Sequence, residues 1–302
     1  MNHHASPANG LPYLPRGTEI DDYVIERPLG GGGFSLVYLA RGAADHRQVA
    51  IKEYFPRKLA SRAQNHAIVP TDEESARAFS RGLMHFLEEA KVLARLKHPN
   101  ILDVRSFFQA NGSAYLVMSF CYGRILSDYL TEKKGRLSET FLLHLFYALL
   151  DGLQAIHAAG LLHLDIKPQN ILIRPGGSPL LLDFGAVQPY PNSLTWKPGK
   201  VLTKGFSPIE QYSSRHGTIG PWSDIYALGS TMRSCLDGRA PPPSIERLKE
   251  DPLQPASAIY AKTYSPPLLQ AIDWAMAVEQ AKRPQTAAEL RYMLPAIQDN
   301  GD

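Results

Sequence analysis

The sequence predicts an α+β fold with two lobes, a sheet-rich first part and a largely helical second part. The length of 302 residues suits roughly two domains or lobes. Three segments rich in β-branched and aromatic residues, 23–29, 48–54 and 114–118, read as strands. From residue 126 onwards, apolar residues recur at the spacing of helices instead.

Composition and charge exclude several classes of protein. A net charge of +3 is too small to indicate binding to nucleic acid or to a membrane surface. Cys121 and Cys235 lie far apart and without metal-ligand spacing, which is typical of reduced thiols in a cytoplasmic protein. No apolar run approaches the roughly 20 residues of a membrane span, and no apolar segment follows the first residues to make a signal peptide. We therefore expect a cytoplasmic chain without a membrane span or nucleic-acid partner.

A glycine cluster, residues 30–33, lies between two apolar segments that read as strands, and the second contains Val37. Glycine lacks a Cβ, so the backbone there can approach phosphate groups closely and adopt positive φ. The alternative is a flexible linker, but linkers are not bracketed by alternating apolar strands. The pattern favours a loop that covers phosphates.

Lys52 lies inside the apolar strand at residues 48–54. An ammonium group in a buried run needs an anionic partner, although a lysine that extends from a sheet edge into solvent fits the same pattern. Residues 86–96 have the spacing of an amphipathic helix, which offers Glu88 and Glu89 as partners. Neighbouring residues are about 100° apart around a helix, so only one of the two can face the strand.

Residues 163–170, His-Leu-Asp-Ile-Lys-Pro-Gln-Asn, place a carboxylate, an amine and a carboxamide close together. A second carboxylate, Asp183 of an Asp-Phe-Gly triplet, follows Asp165 by 18 residues. Two apolar runs with a Pro- and Gly-containing turn lie between them, so we expect a hairpin that folds the second carboxylate back beside the first. An isolated Asp-Phe-Gly is usually only a turn. In this order and spacing the group suits phosphoryl transfer, with one carboxylate accepting a proton and an Asn and an Asp holding divalent metal.

Taken in order, these motifs resemble those of bacterial eukaryotic-like Ser/Thr protein kinases of the Hanks type. The resemblance covers about residues 19–297 and implies a five-stranded antiparallel sheet with one main helix, a helical second lobe, and ATP between them. It implies a flexible tail at 1–18, a first lobe at 19–118, a hinge at 119–123, a second lobe at 124–297 and a C-terminal tail at 298–302. Ser35 stands where the family has its third loop glycine.

The resemblance also implies the roles of individual residues in ATP-dependent transfer to protein Ser or Thr hydroxyls. Glu89 is favoured over Glu88 because it precedes His98-Pro99 by the family's usual nine residues. The catalytic set is then Asp165, Lys167, Asn170, Lys52 and Glu89. Asn170 and Asp183 are the implied ligands of Mg²⁺, with Mn²⁺ as a substitute. The implied nucleotide contacts are Leu29, Gly30, Gly31, Gly32, Val37, Ala50, Lys52, Met118, Ser119, Cys121, Leu172 and Asp183.

The span from Lys52 to Glu89 is longer than in a minimal kinase by about 20 residues on the same resemblance. This insert, at about residues 53–82, resembles a subfamily that includes kinases associated with type VI secretion. It contains a predicted helix at 73–82. Either the insert has no role in the site, or it packs on the helix that carries Glu89 and sets the position of that helix.

The segment from Asp183 to Glu210 resembles the family's activation segment, with Pro-Ile-Glu in place of Ala-Pro-Glu. The resemblance implies that Glu210 forms a buried ion pair with Arg283. It also implies that Thr203 hydrogen-bonds Asp165 and Lys167, and that Asp224 caps the backbone around residue 163.

Leu164 replaces the arginine that most family members use to bind a phosphorylated activation segment. A leucine side chain cannot bind phosphate. We therefore expect activity that does not depend on phosphorylation at this contact, although Ser193 and Thr195 remain candidate autophosphorylation sites.

Two other classes fit parts of the pattern. A pseudokinase scaffold would keep the fold without turnover, but it predicts decay at Lys52, Asp165, Asn170 or Asp183, and all four are intact. A small-molecule phosphotransferase lacks the Pro-Ile-Glu anchor and the threonine loop.

Overall fold

The computed structural model describes residues 12–133, 137–190 and 202–297. The chain divides into two compact units, one formed by residues up to 97 with 103–121, the other by residues 98–102 with those from 122 onwards. Residues 98–102 were expected in the first lobe. They belong to the second unit because the backbone N–H groups of Leu102 and Leu181 donate to the carbonyls of Leu181 and Asn100, at 3.0 and 2.8 Å.

The first unit is built on an antiparallel sheet of six strands, not the predicted five. The additional strand has only two residues, which pair with the strand that begins at Tyr23. In spatial order the sheet runs β1–β2–β3–β4–β8–β7. These strands are β1 (Glu19–Ile20), β2 (Tyr23–Gly31), β3 (Ser35–Gly42), β4 (Gln48–Tyr54), β7 (Val104–Ala110) and β8 (Ser113–Ser119).

A single helix, α1 (Glu73–Leu93), replaces the two helices predicted at 73–82 and 86–96. It has 21 residues and begins at Asp72, whose carboxylate accepts from the Ser75 N–H at 2.7 Å. Gly82 lies within the helix and does not end it. The insert helix therefore does not pack on the helix that carries Glu89, because it is the first half of that helix.

The rest of the insert forms a second, two-stranded sheet, β5 (Ala60–Arg62) paired with β6 (Ile68–Pro70). Ala60 and Ile68 are buried in one cluster with Leu36, Tyr38 and other residues of the main sheet. This cluster also holds Leu14, which is 2% exposed and lies in the segment predicted as a flexible tail. The prediction is wrong for residue 14, because its side chain is part of the core.

A buried ion pair lies at the centre of this packing. Glu53 of β4 is fully buried and pairs with Arg62 of β5. The hydroxyls of Tyr38 and Tyr115 donate to the same carboxylate at 2.8 and 2.7 Å. The Nε of Arg62 donates to the Pro12 carbonyl at 2.7 Å. This ion pair thus ties the insert to the sheet through Glu53, and to the N-terminal segment through Arg62.

The second unit is mostly helical, as predicted. Its short strands are β9 (Arg124–Ile125), β10 (Leu161–Leu162), β11 (Ile171–Ile173), β12 (Pro179–Leu181) and β13 (Gln188–Pro189). Its helices are α2 (Leu126–Lys133), α3 (Glu139–Ala158), α4 (Ile209–Tyr212), α5 (Pro221–Asp237), α6 (Ser244–Arg247), α7 (Ala256–Ile259), α8 (Pro266–Ala275) and α9 (Ala287–Met293).

The central helix α3 begins after Ser138, whose hydroxyl accepts from the Phe141 N–H at 3.2 Å. It has 20 residues and is apolar enough to cross a membrane by length and composition. Half of its most apolar window is buried inside the protein, and core helices pass the same test, so this is weak evidence for a span. Apolar residues at helical spacing are buried along one face of α3: Leu142, Leu145, Phe146, Leu149, Leu153 and Ile156.

Replacement of Arg62 by Met should lower the free energy of unfolding by about 3–5 kcal/mol, because it leaves the Glu53 carboxylate buried without a cation. Urea unfolding, followed by circular dichroism, measures this change. The double variant Arg62→Met with Glu53→Gln carries no buried charge and should recover a large part of the loss. Equal stability of Arg62→Met and the unmodified protein would contradict this account.

Candidate active site

The residues predicted to contact nucleotide in the first unit lie side by side in the main sheet. The register pairs Gly30 with Val37, and Val37 with Lys52, across three neighbouring strands. Ala50 pairs with Met118 in the same way. Because Ala50 and Lys52 are two residues apart in β4, their side chains point to the same face of the sheet. One face thus collects the side chains of Val37, Ala50, Lys52 and Met118.

The glycine loop joins β2 to β3 by a tight turn in which the Gly32 N–H donates to the Ser35 carbonyl at 2.8 Å. None of the four glycines has positive φ, so the loop does not use that conformational freedom. Absence of a Cβ matters at Gly31, where a Cβ would lie 2.8 Å from the Leu36 side chain. At Gly30 and Gly32 a Cβ would meet only open space, which leaves the backbone accessible to a ligand.

The candidate partners of Lys52 differ in their environment on α1. Glu88 is exposed and its carboxylate pairs with Lys91 at 2.7 Å. Glu89 and Lys52 are both half-buried. Glu89 therefore remains the predicted partner, and Glu88 is accounted for by a surface pair.

The predicted hinge begins at the end of β8. The Ser119 N–H donates to the Asp103 carbonyl at 2.9 Å, and the Ser119 hydroxyl donates to the Asp103 carboxylate at 2.9 Å. Cys121 is a half-buried free thiol.

The two leucines predicted to contact the nucleotide lie in different units. Leu29 of β2 is half-buried in the first unit, and Leu172 of β11 is 8% exposed in the second unit.

In the second unit, three predicted residues meet at the carboxylate of Asp165. The Lys167 ammonium lies 2.9 and 2.7 Å from its two oxygens. The Thr203 hydroxyl donates to Oδ1 at 2.8 Å and accepts from the Lys167 ammonium at 3.1 Å. The Asn170 amide donates to Oδ2 at 2.9 Å and to the Asp165 carbonyl at 2.8 Å. The carboxylate is thus held in one orientation with cationic and neutral donors around it.

The predicted hairpin brings Asp183 to the same region. Strands β11 and β12 pair antiparallel, with Ile171 opposite Leu181. The Leu182 N–H then donates to the Asn170 carbonyl at 2.8 Å. Asp183, the next residue, therefore lies close to Asn170, the other predicted metal ligand. Asp183 has a φ of 53° and its side chain is exposed.

His163 links the two chain segments that carry Asp165 and Asp183. Its ring lies 5.0 Å from that of Phe184, and Nδ1 accepts from the Asp165 N–H at 3.3 Å. The other ring nitrogen, Nε2, therefore carries the proton and donates to the Leu182 carbonyl at 3.2 Å. Complete burial lowers the pKa of His163 below its ordinary 6.5, against the opposing effect of nearby carboxylates. A neutral imidazole fits both hydrogen bonds.

Asp224 of α5 binds the backbone around residue 163, as predicted. Its two carboxylate oxygens accept from the N–H groups of His163 and Leu164, at 2.9 and 2.7 Å. Leu164 has a φ of 61°, which is strained for a leucine, and the Gln211 amide donates to its carbonyl at 3.0 Å. The Nε2 of His157 donates to the Asp224 carboxylate at 2.9 Å, so this histidine helps to hold Asp224.

The side chain of Leu164 is 3% exposed. It lies in an apolar cluster with Leu162, Ala186 and Ile219, and Tyr190 packs against this cluster. Where most family members place an arginine, this chain therefore has a dry contact that includes residues on both sides of the activation segment.

Glu210 and Arg283 form the predicted ion pair, and both side chains are fully buried. Two hydrogen bonds, of 2.7 and 3.2 Å, join the guanidinium to the carboxylate. Arg283 also donates to the carbonyls of Ala277 and Val278, and the Ser223 hydroxyl donates to Glu210. Every charged atom of the pair thus has a partner.

Several structural residues were missed at the level of sequence. The Glu53–Arg62 pair, the Gln211 contact with Leu164 and the aromatic contacts of Tyr54 carry no motif. For Glu53 there was one signal, a carboxylate inside an otherwise apolar strand. Ser193 and Thr195 lie outside the described residues.

Replacement of Arg283 by Met should lower the free energy of unfolding by about 3–5 kcal/mol, because Glu210 is left buried and unpaired. Lys282→Met is the matched control: its pair with Glu279 is about two-thirds exposed on both sides, and such pairs contribute about 0–1 kcal/mol. Urea midpoints of the two variants provide the comparison. A similar loss in both would refute a special role for the buried pair.

The sequence is similar to those of known proteins over most of its length. The sequence matches the protein kinase domain family over residues 23–292. It is 29% identical over 296 residues to the Ser/Thr-protein kinase PknB of Mycobacterium tuberculosis, covering 93% of this chain and 44% of that protein. It is 36% identical over 163 residues to 3-phosphoinositide-dependent protein kinase 1 of Arabidopsis thaliana, covering 51% of this chain and 33% of that protein. The chain thus spans less than half the length of these curated relatives.

A solved structure described as PpkA-294 apo form has 36% sequence identity to this chain and superposes with a TM-score of 0.83. The match covers 94% of this chain and 99% of that chain. These findings confirm the predicted fold class and the resemblance to bacterial kinases of the Hanks type. The chain belongs to the protein kinase domain family.

Proposed function

We propose that this protein is a Ser/Thr protein kinase that transfers the γ-phosphoryl group of ATP to Ser or Thr hydroxyls of protein substrates. The observation that carries the proposal is the carboxylate of Asp165, oriented by Lys167, Asn170 and Thr203. In phosphoryl transfer the protein supplies positioning and electrostatic stabilisation rather than covalent chemistry. A fixed carboxylate beside a fixed ammonium provides both.

Asp165 orients the acceptor hydroxyl and accepts its proton as the oxygen attacks phosphorus. Lys167 lies within 3 Å of this carboxylate, so its charge also stabilises the negative charge that develops on the transferred phosphoryl oxygens. Lys52, aligned by Glu89, binds the α- and β-phosphates. Thr203 contacts both members of the Asp165–Lys167 pair, which supports a preference for Ser and Thr over Tyr acceptors.

The donor set around Asn170 and Asp183 fits Mg²⁺. The amide nitrogen of Asn170 faces Asp165, which leaves its carbonyl oxygen for a metal, and Asp183 adds an exposed carboxylate. Oxygen ligands of this kind, together with substrate phosphates, are what Mg²⁺ prefers in proteins. When bound, the ion neutralises charge on the phosphates. Among the described residues no cluster of three or more His, Cys, Asp or Glu side chains could hold a metal without the nucleotide.

The alternative is a pseudokinase that binds partners without transferring phosphate. The proposal also covers the cellular location and the substrates of the protein. We place the protein in the cytoplasm, with protein substrates and with autophosphorylation at Ser193 or Thr195. Association with type VI secretion stays a prediction.

Incubation with labelled ATP and Mg²⁺ should yield phosphoserine or phosphothreonine on the protein or on an added protein substrate. The Asp165→Asn variant should transfer phosphate about 10²–10⁴-fold more slowly, because an amide cannot accept the proton of the acceptor hydroxyl. Asp151→Asn, an exposed exchange of the same kind on α3, should keep full activity. Nucleotide binding without turnover in the unmodified protein would favour the scaffold.

The double variant Ser193→Ala with Thr195→Ala should keep at least about half of the activity, because Leu164 lies in an apolar cluster and offers no charge to a phosphate. Initial rates of substrate phosphorylation measure this. An inactive double variant that acidic replacements at both positions restore would show that the segment does need phosphorylation.

A further inference from the structure

Tyr54 connects the strand of Lys52 to the helix of Glu89. It is 6% exposed, and its ring centroid lies 5.2 Å from that of Phe79 and 5.7 Å from that of Phe86. Its hydroxyl donates to the Phe79 carbonyl at 3.4 Å. Burial raises the pKa of Tyr54 to about 12, so the hydroxyl stays protonated.

Gly82 is the point of closest approach. A Cβ at this position would lie 2.0 Å from the Tyr54 hydroxyl oxygen and 2.9 Å from the ring carbon that bears it. No side chain can therefore occupy position 82 unless α1 or the ring moves. In a helix interior glycine is about 1 kcal/mol less favourable than alanine, so helix propensity alone disfavours this glycine and the space taken by the Tyr54 ring accounts for it.

The spacing of these residues extends the contact to the proposed phosphate-binding pair. On α1, Phe79, Gly82, Phe86 and Glu89 recur every three or four residues and so share one face. On β4, Lys52 and Tyr54 are two residues apart and share one face of the strand. Glu89 lies about 4.5 Å along the helix from Phe86, and Lys52 about 6.6 Å along the strand from Tyr54.

The Tyr54 backbone is fixed as well. Tyr54 pairs with Ser35 in the sheet, and the hydroxyl of Ser113, which is 1% exposed, donates to the Tyr54 carbonyl. Next to it, Glu53 is held on the opposite face by Arg62. The ring of Tyr54 is thus a rigid stop against which α1 rests.

We infer that the contact of Tyr54 with Gly82 is a positioning device, which sets the position of α1 along β4 and so brings Glu89 to Lys52. Phe79 and Gly82 lie in the half of α1 that the insert contributes. The insert therefore acts by lengthening the helix to reach this stop. The inference rests on the proposed function, because it assigns Lys52 and Glu89 their roles in nucleotide binding.

The test compares Gly82→Ala with Ser80→Ala, an exposed position on the same helix. Gly82→Ala should weaken MgATP binding and lower kcat/KM for ATP by at least about tenfold, since small misplacements at an active site cost this much or more. Ser80→Ala should leave both unchanged. Tyr54→Phe added to Gly82→Ala removes the nearest clashing atom and should restore a large part of the affinity.

Calorimetric titration with a non-hydrolysable ATP analogue and Mg²⁺ measures binding independently of turnover, and circular dichroism verifies folding. A folded Gly82→Ala protein with unchanged affinity and unchanged kcat/KM would overturn the inference, whatever its melting temperature. So would a tenfold loss that Tyr54→Phe does not relieve. If the unmodified protein binds the analogue but transfers no phosphate, the proposed function fails while the affinities of the variants still decide the inference.

Discussion

The carboxylate of Asp224 is the constraint on which the loop that carries Asp165 depends. It receives the backbone N–H groups of His163 and Leu164 at a point where Leu164 adopts the left-handed conformation. Such a conformation costs on the order of 1–2 kcal/mol for a leucine and persists only where its surroundings enforce it. Because Asp165 is the next residue, the direction of its carboxylate follows from this turn. Loss of Asp224 would therefore release the whole donor set around Asp165.

Both units use a buried carboxylate–arginine pair to join two different segments of the chain. Glu53 and Arg62 connect the insert to the sheet, and Glu210 and Arg283 connect the end of the activation segment to the segment before α9. Desolvation makes such pairs weak sources of net stability, but removal of one member is costly. Their effect is to exclude alternative arrangements, since any shift of either segment leaves a charge buried alone. Rigid segments are what a positioned catalytic carboxylate and a positioned helix require.

The chain departs from its family where a charge would be expected and an apolar contact is found. Leu164 packs with Leu162, Ala186 and Ile219 in place of an arginine that would bind phosphate. Ala186 lies at the start of the activation segment and Ile219 follows its end. The apolar cluster can therefore hold the chain on both sides of the segment without phosphorylation. The long helix α1, resting on Tyr54, provides a comparable fixed contact in the first unit. The two features together favour a kinase whose parts are held in place by packing.

The sequence predicts the candidate residues of the site and much of the secondary structure. The Asp165 motif and the hairpin to Asp183 follow from local pattern, because the hydrophobic period and the turn residues act over a few positions. Glu210 and Arg283 followed from the family's motif order. Local pattern failed at Gly82, which suggested the end of one helix and start of another. Only the tertiary structure shows that Tyr54 occupies the space of its missing side chain. It alone also places Leu14 in the core and Arg62 beside Glu53, since burial depends on contacts between segments that no local pattern records.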